Sequence, residues 1–395
     1  MLSFRNVLNW AMAFICALFI LIGRWSPFDT MGDNVLTDFR TLMLTGLFVL
    51  MLVTRIRWTV DSKLCLTLLP IVSFGISYAW AYDSGSSAYA NSKLFDVFLI
   101  CLFLLLFRQI LHRRGLLNMV LISAGLIATV LGVLALLNAP SAGDAAQNSR
   151  ISTLGSGPIT FARILLTGAI ISIAVRFKGL GANLLKILIS LVLIYGVLLS
   201  GSRGVVAGGL FAFVSLFLIF MLRGSILQKV FAVSGTIGVL FLYYGPQIST
   251  GIYVIDHRIL ALVYNDELYL SGRDMIYATF FRYWPDHPWL GSGLGGFKDV
   301  SEFVYPHNLF LEYLFEAGIL GFAALTVFLV PILSLCVFKY KTISLQLSAL
   351  TLSSIGFVMF SGDFYDSRWV FIWGLACLCS AQGNRRMYYS GRATI

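Results

Sequence analysis

Uncharged apolar runs, each about as long as a bilayer core is thick, divide the chain from end to end. Of 395 residues, 58% are hydrophobic and only 12% charged, and the mean hydropathy is +0.87, so the runs are too many and too long for the interior of one water-soluble domain. A spanning helix takes about 20 mostly apolar residues. Roughly twelve runs qualify, at 8–23, 40–54, 64–81, 94–111, 116–138, 159–176, 184–199, 204–222, 226–243, 308–338, 345–361 and 367–382. The expected fold is an all-α integral membrane protein with about twelve spans. Arg5 before the first run resembles the start of a secretory signal, but no small-x-small cleavage site follows Leu21-Ile22-Gly23-Arg24-Trp25, and the run is read as a retained first span.

Basic residues orient the spans. With the N-terminus in the cytoplasm, the even-numbered connections and both termini carry 17 of the 28 Lys and Arg but, through Asp61, only one of the 18 acidic residues. The opposite face then holds 11 basic and 17 acidic residues, a net charge of −6. This is the positive-inside pattern, and it assigns the +10 net charge to membrane orientation and not to nucleic acid. All six cysteines fall inside predicted spans, with no CxxC metal spacing and no disulfide framework.

One outward connection is long, running over 244–306. A connection of that length is functional or disordered, and its aromatic content speaks against disorder. In SGRDMIYATFFRYWPDHPWLGSGLGGF, residues Ile276, Phe280, Tyr283 and Trp284 recur at helical spacing. They predict a short amphipathic helix capped by Ser271, ended by Pro285 and lying at the membrane surface with its Tyr and Trp at headgroup level. The glycines after it allow a tight backbone path. No internal repeat is present, which disfavours an inverted-repeat transporter, and 1–395 reads as a single polytopic domain.

Three constellations could carry chemistry. In LLSGSRGVVAGG, Ser200-Gly201-Ser202 turns sharply ahead of a new helix; backbone N–H groups there can nest an anion, and Arg203 adds a fixed charge and fork-like donors. The alternative is an arginine snorkelling to headgroups. Arg273, beside Asp274 in the long connection, is either a solvated local pair or a second cation on the same side as Arg203. In PHNLFLEYLFEAGILG, Asn308, Glu312 and Glu316 recur every four residues, with His307 at the outer end. Intramembrane carboxylates cost about 2.5–3.5 kcal/mol to insert, so the stripe is expected to line an interior cleft, with His307 as a base at its rim. The plainer alternative is a helix cap with interhelical hydrogen bonds. Arg163 is expected just inside the membrane, with Arg150 flanking the same Gly-Pro turn. Asp363 and Asp366 read as loop charges, and His112, His257 and His287 lack metal-ligand spacing.

Taken in order, SGSRG, then SGR and HPWLGSGLGGF, then PHNLFLEYLFEAGILG resemble the O-antigen ligase and O-unit polymerase superfamily over roughly residues 150–340. The resemblance implies a C-type, metal-independent, inverting glycosyltransferase of the bacterial inner membrane, with a periplasmic site and no cofactor. It implies an undecaprenyl-diphosphate-linked glycan as donor, and as acceptor a glycolipid, either a carrier-linked repeat or lipid A-core; membrane lipids and a chain-length regulator are further expected partners. By position, Arg203 and Arg273 would hold the donor diphosphate, Arg163 and Glu312 would contact substrate, and His307 would assist the acceptor hydroxyl. The net negative outward face favours a polymerase over a ligase for phosphate-rich lipid A-core. The short connection 139–158 favours the ligase. A lipid or ion transporter is the remaining alternative, though it would place its charges nearer the bilayer midplane.

Overall fold

The computed structural model describes residues 4–22, 39–56, 58–81, 87–113, 115–137, 157–174, 179–223, 233, 272–338, 343–360 and 362–381. Every regular element among them is helical: α1 (Phe4–Ile22), α2 (Phe39–Val53), α3 (Ser62–Ile76, extended by a 3-10 turn Ser77–Trp80), α4 (Ser87–Leu111), α5 (Leu116–Leu137), α6 (Pro158–Ala174), α7 (Leu180–Leu199), α8 (Arg203–Arg223), α9 (Arg273–Tyr283), α10 (Leu309–Glu316), α11 (Gly318–Phe338), α12 (Leu345–Phe360) and α13 (Arg368–Ser380). Six of them (α1, α3 with its 3-10 turn, α4, α5, α7 and α11) are long and apolar enough to cross a membrane, and α2, α6, α8 and α12 are shorter apolar helices. This is a multi-pass helical membrane protein. The expected span 226–243 apart from residue 233, Ser271 and Arg150 lie outside the described residues, as does 244–271 of the long connection.

Packing divides the chain into two compact units. One comprises Met1–Ala124, Ser271–Thr351 and Gly362–Ile395; the other comprises Gly125–Leu270 and Leu352–Ser361. In the second unit, small residues let helix backbones approach closely, as bilayer packing favours. A Cβ on Gly208 of α8 would lie 2.8 Å from the backbone nitrogen of Phe357 in α12.

In the first unit, polar side chains tie the helices together at both ends of α4. At its C-terminal end, Arg108 pairs with Asp61, which also caps α3 by accepting from the Leu64 N–H at 3.1 Å. Gln109 there exchanges hydrogen bonds with the Thr59 backbone at 2.8 and 2.9 Å, and Arg113 donates to Thr54 O, just beyond α2, at 2.9 Å. At the N-terminal end, Asp96 accepts from Arg40 of α2 at 2.6 Å, and Lys93 lies against α10. Arg368, fully buried at the start of α13, donates to Ile20 O of α1 at 3.1 Å and to Tyr365 O at 3.2 Å. Asp363 is also buried. The reading of Asp363 as a loop charge is therefore corrected: it folds inward, where its Oδ1 accepts from the Asp366 N–H at 3.1 Å and its carbonyl from the Ser367 hydroxyl at 3.0 Å.

The expected span 308–338 is not one helix. It breaks between α10 and α11 at Ala317-Gly318, where Gly318 takes a φ of +65°. A broken helix leaves carbonyls on one side and N–H groups on the other without partners, and the connection 287–293 supplies both. Ser292 and Gly293 donate to Phe315 O and Glu316 O at 2.8 and 3.1 Å, and Pro288 O and Trp289 O accept from Ile319 and Leu320 at 2.8 and 3.3 Å. Glycine is required at this seam. Gly291 has a φ of +77°, and a Cβ there would sit 2.5 Å from the Glu316 carbonyl carbon.

Candidate active site

The path of the chain into α10 places the histidine. Asn308 is the N-cap, its Oδ1 accepting from the N–H groups of Phe310 and Leu311 at 2.9 and 3.3 Å. His307 immediately precedes the cap with a φ of +55°, a left-handed conformation uncommon outside glycine. Its ring packs on Tyr305, with centroids 4.4 Å apart. The imidazole is partly buried, and its pKa lies below the ordinary histidine value chiefly because burial disfavours the charged ring. The Arg273 guanidinium pushes in the same direction, while Asp363 and Asp366 oppose it.

Arg273 is the first residue of α9, whose N-cap is Gly272 in the left-handed region with no side-chain cap. The amphipathic helix expected from the sequence is therefore present, ending at Tyr283 before a 3-10 turn that contains Pro285. Its apolar face turns onto protein. Ile276 and Phe280 are buried with Phe297 and Phe315, and Tyr283 and Trp284 pack at the edge. Burying two such side chains contributes about 3–6 kcal/mol, which ties α9 to α10 and keeps Arg273 within electrostatic reach of His307.

Deeper along α10 the polar stripe is sealed. Glu312 and Glu316 are fully buried, and Lys93 of α4, 1% exposed, stands between them. Lys93 Nζ donates to both oxygens of Glu316 at 2.6 and 2.7 Å and lies 2.5 Å from Glu312 Oε1 as an ion contact. Gly295 N–H adds a hydrogen bond to Glu316 Oε2 at 2.9 Å. The stripe thus serves as cap and interhelical bond, the plainer of the two alternatives. Lys93 escaped the sequence reading because it falls one residue outside the run taken as the fourth span; a cation flanking an apolar segment is the signal that could have found it.

The second unit holds the other two predicted arginines. Arg203 opens α8, directly after a turn in which Gly201 has a φ of +60°. Ser200 caps the end of α7: its hydroxyl donates to Val197 O at 2.6 Å and accepts from the Ser202 N–H at 3.2 Å. The Ser202 hydroxyl is buried and makes no hydrogen bond among the described residues. Arg163, 1% exposed on α6, faces the Phe357 ring at 5.8 Å. Among the described residues no group of three His, Cys, Asp or Glu side chains could hold a metal ion.

Fold and site together define a multi-pass helical membrane protein in which a partly buried imidazole on a left-handed backbone lies within electrostatic reach of an arginine. Residues 188–326, about a third of the chain, match the O-antigen ligase family model, which bears out the resemblance to the O-antigen ligase and polymerase superfamily. The matched segment takes in Arg203, Arg273, His307, Glu312 and Glu316. No curated protein matches the chain.

Proposed function

We propose that the protein is a glycosyltransferase of the bacterial inner membrane that works at the periplasmic face, moving a glycan from undecaprenyl diphosphate onto an acceptor hydroxyl. The observation that carries this reading is His307 in a left-handed backbone with Arg273 acting on it, inside the segment that matches the O-antigen ligase family. The acceptor oxygen attacks the anomeric carbon, and the bond from that carbon to the diphosphate oxygen breaks. The electron pair leaves with undecaprenyl diphosphate, and the acceptor proton passes to His307. Direct displacement inverts the anomeric centre.

Charge accumulates on the leaving diphosphate, so donors fixed in advance lower the barrier. Arg203 and Arg273 take that role, with Arg163 as a further cation on the donor side. A histidine held below its ordinary pKa is neutral at neutral pH and ready to accept a proton. Architecture of the C type with about twelve spans, metal independence, and a chain-length regulator as partner belong to the same proposal.

The acceptor is read as a second carrier-linked repeat, which makes the enzyme a repeat-unit polymerase; the net negative outward face supports this. Ligation to lipid A-core is the second reading, supported by the short connection 139–158. Reconstitution with a carrier-linked repeat, with and without lipid A-core, separates them. A ladder of lengths without core means polymerase, and a single transfer that needs core means ligase. Full turnover in His307→Ala would remove the base.

A further inference from the structure

Lys93, Glu312 and Glu316 form a buried set with one cation and two carboxylates, and the donors around it are unequally shared. Glu316 receives three hydrogen bonds, two from Lys93 and one from the Gly295 backbone. Glu312 has only the shared Lys93 Nζ, 2.5 Å from its Oε1, and among the described residues no backbone N–H donates to it. Two further groups act on the carboxylates: the Tyr89 hydroxyl of α4, buried and without a hydrogen-bond partner among the described residues, and Asp363, which would add more negative charge. Lys93 lies over the Tyr89 ring at 5.3 Å and over Phe74 at 5.4 Å; Lys298, also over Tyr89, is exposed. With both glutamates ionised, one lysine would serve two buried carboxylates and the set would bury a surplus negative charge, which folded proteins avoid.

We propose that this cluster is a neutral latch, with Glu316 ionised against Lys93 and Glu312 carrying a proton, and that Lys93 and Glu316 are positioning residues for His307. The role of His307 rests on the reading above. Glu316 is the last residue of α10 and His307 precedes its first turn; α10 has 8 residues, so about 12 Å of rigid helix separates the latch from the imidazole. Holding Glu316 through Lys93 on one side and Gly295 on the other fixes the rotation of α10 about its axis. A displacement of about 1 Å at a reacting group can cost about a hundredfold in rate.

The test compares near-isosteric neutral variants in purified full-length protein, reading both unfolding midpoint and turnover per folded molecule. Glu312→Gln replaces one neutral group by another and should match the parent in unfolding midpoint. Glu316→Gln and Lys93→Met each strand a charge; both should lower the midpoint and reduce kcat about a hundredfold with donor KM little changed, and Lys93→Arg should restore part of the kcat. Equal losses in Glu312→Gln and Glu316→Gln would overturn the proton assignment. A normal kcat in Lys93→Met would overturn the positioning role. If His307→Ala keeps its turnover the base reading fails, yet the difference in midpoint between the two Gln variants still decides the state of the latch.

Discussion

Replacing Gly291 by alanine tests the seam between α10 and α11 most directly, because the cost has separable parts. At a φ of +77° an L-residue pays about 1–2 kcal/mol. The added Cβ would also stand 2.5 Å from the Glu316 carbonyl carbon and 2.6 Å from the Ala317 nitrogen, both main-chain atoms that cannot rotate away. Relieving such a contact costs about 1–3 kcal/mol. Any shift also loosens the bonds from Ser292 and Gly293 to the end of α10, each worth about 0.5–1.5 kcal/mol net. The sum is about 3–8 kcal/mol. Gly115, in the turn between α4 and α5, supplies the control: its φ is +84°, but a Cβ added there would meet no atom within 4 Å, so its alanine variant pays only the backbone part. Denaturant titration in detergent should therefore show Gly291→Ala less stable than Gly115→Ala by about 2–6 kcal/mol, or roughly 30- to 20,000-fold in the unfolding equilibrium. Equal destabilisation of the two variants would refute the claim that the seam is sterically closed.

Asparagine tolerates the left-handed region, so His307→Asn should keep stability within about 1 kcal/mol of the parent while turnover falls about 10²- to 10⁴-fold; parallel unfolding and transfer assays check both. A base held below its ordinary pKa keeps working as pH drops, so the acid limb of the kcat profile should lie below pH 6.5, move up in Arg273→Ala and move down in Asp363→Asn. The same depression acts on the fold in the opposite sense to a salt-bridged histidine: the folded state resists protonation, so stability is full above the unfolded pKa and is lost as pH falls from there through the folded one; across that window stability should decline in the parent, and the decline should flatten in His307→Asn. At the other end of α4, Asp61 is pulled down to about 2, first by its hydrogen bond to Arg108. Asp61→Ala removes cap and ion pair together and should cost about 1–2 kcal/mol by unfolding.

Much of the helical layout was legible because hydrocarbon demands it. Runs of apolar residues at 40–54, 94–111 and 345–361 correspond to α2, α4 and α12, and the spacing of Ile276 and Phe280 disclosed α9 with the face it buries. Asn308 was legible as a cap through its place before an apolar run. The break at Ala317-Gly318 was not, although the 308–338 run exceeds the length a bilayer needs, which is the clue it offered. What closes the break lies about 25 residues away in GSGLGG, and no local pattern announces a partner at that distance. Lys93 and Arg368 were missed for a related reason: a charge at the edge of an apolar run looks solvated until the helix that covers it is known. Tyr283 and Trp284 at the end of α9, expected at headgroup level, pack half-buried at the edge of the cluster around Phe280.

The seam has a consequence for how such a chain can diversify. Apart from the Ser292 hydroxyl, which also donates to Phe315 O at 3.1 Å, its bonds join main chain to main chain, so they are indifferent to most of the other letters written along 287–294, and Trp289 and Leu290 already turn their side chains outward, 66% and 51% exposed. Only the glycines are fixed by geometry. Those outward positions could be rewritten to suit a different neighbouring molecule while the imidazole beyond α10 stayed where it is.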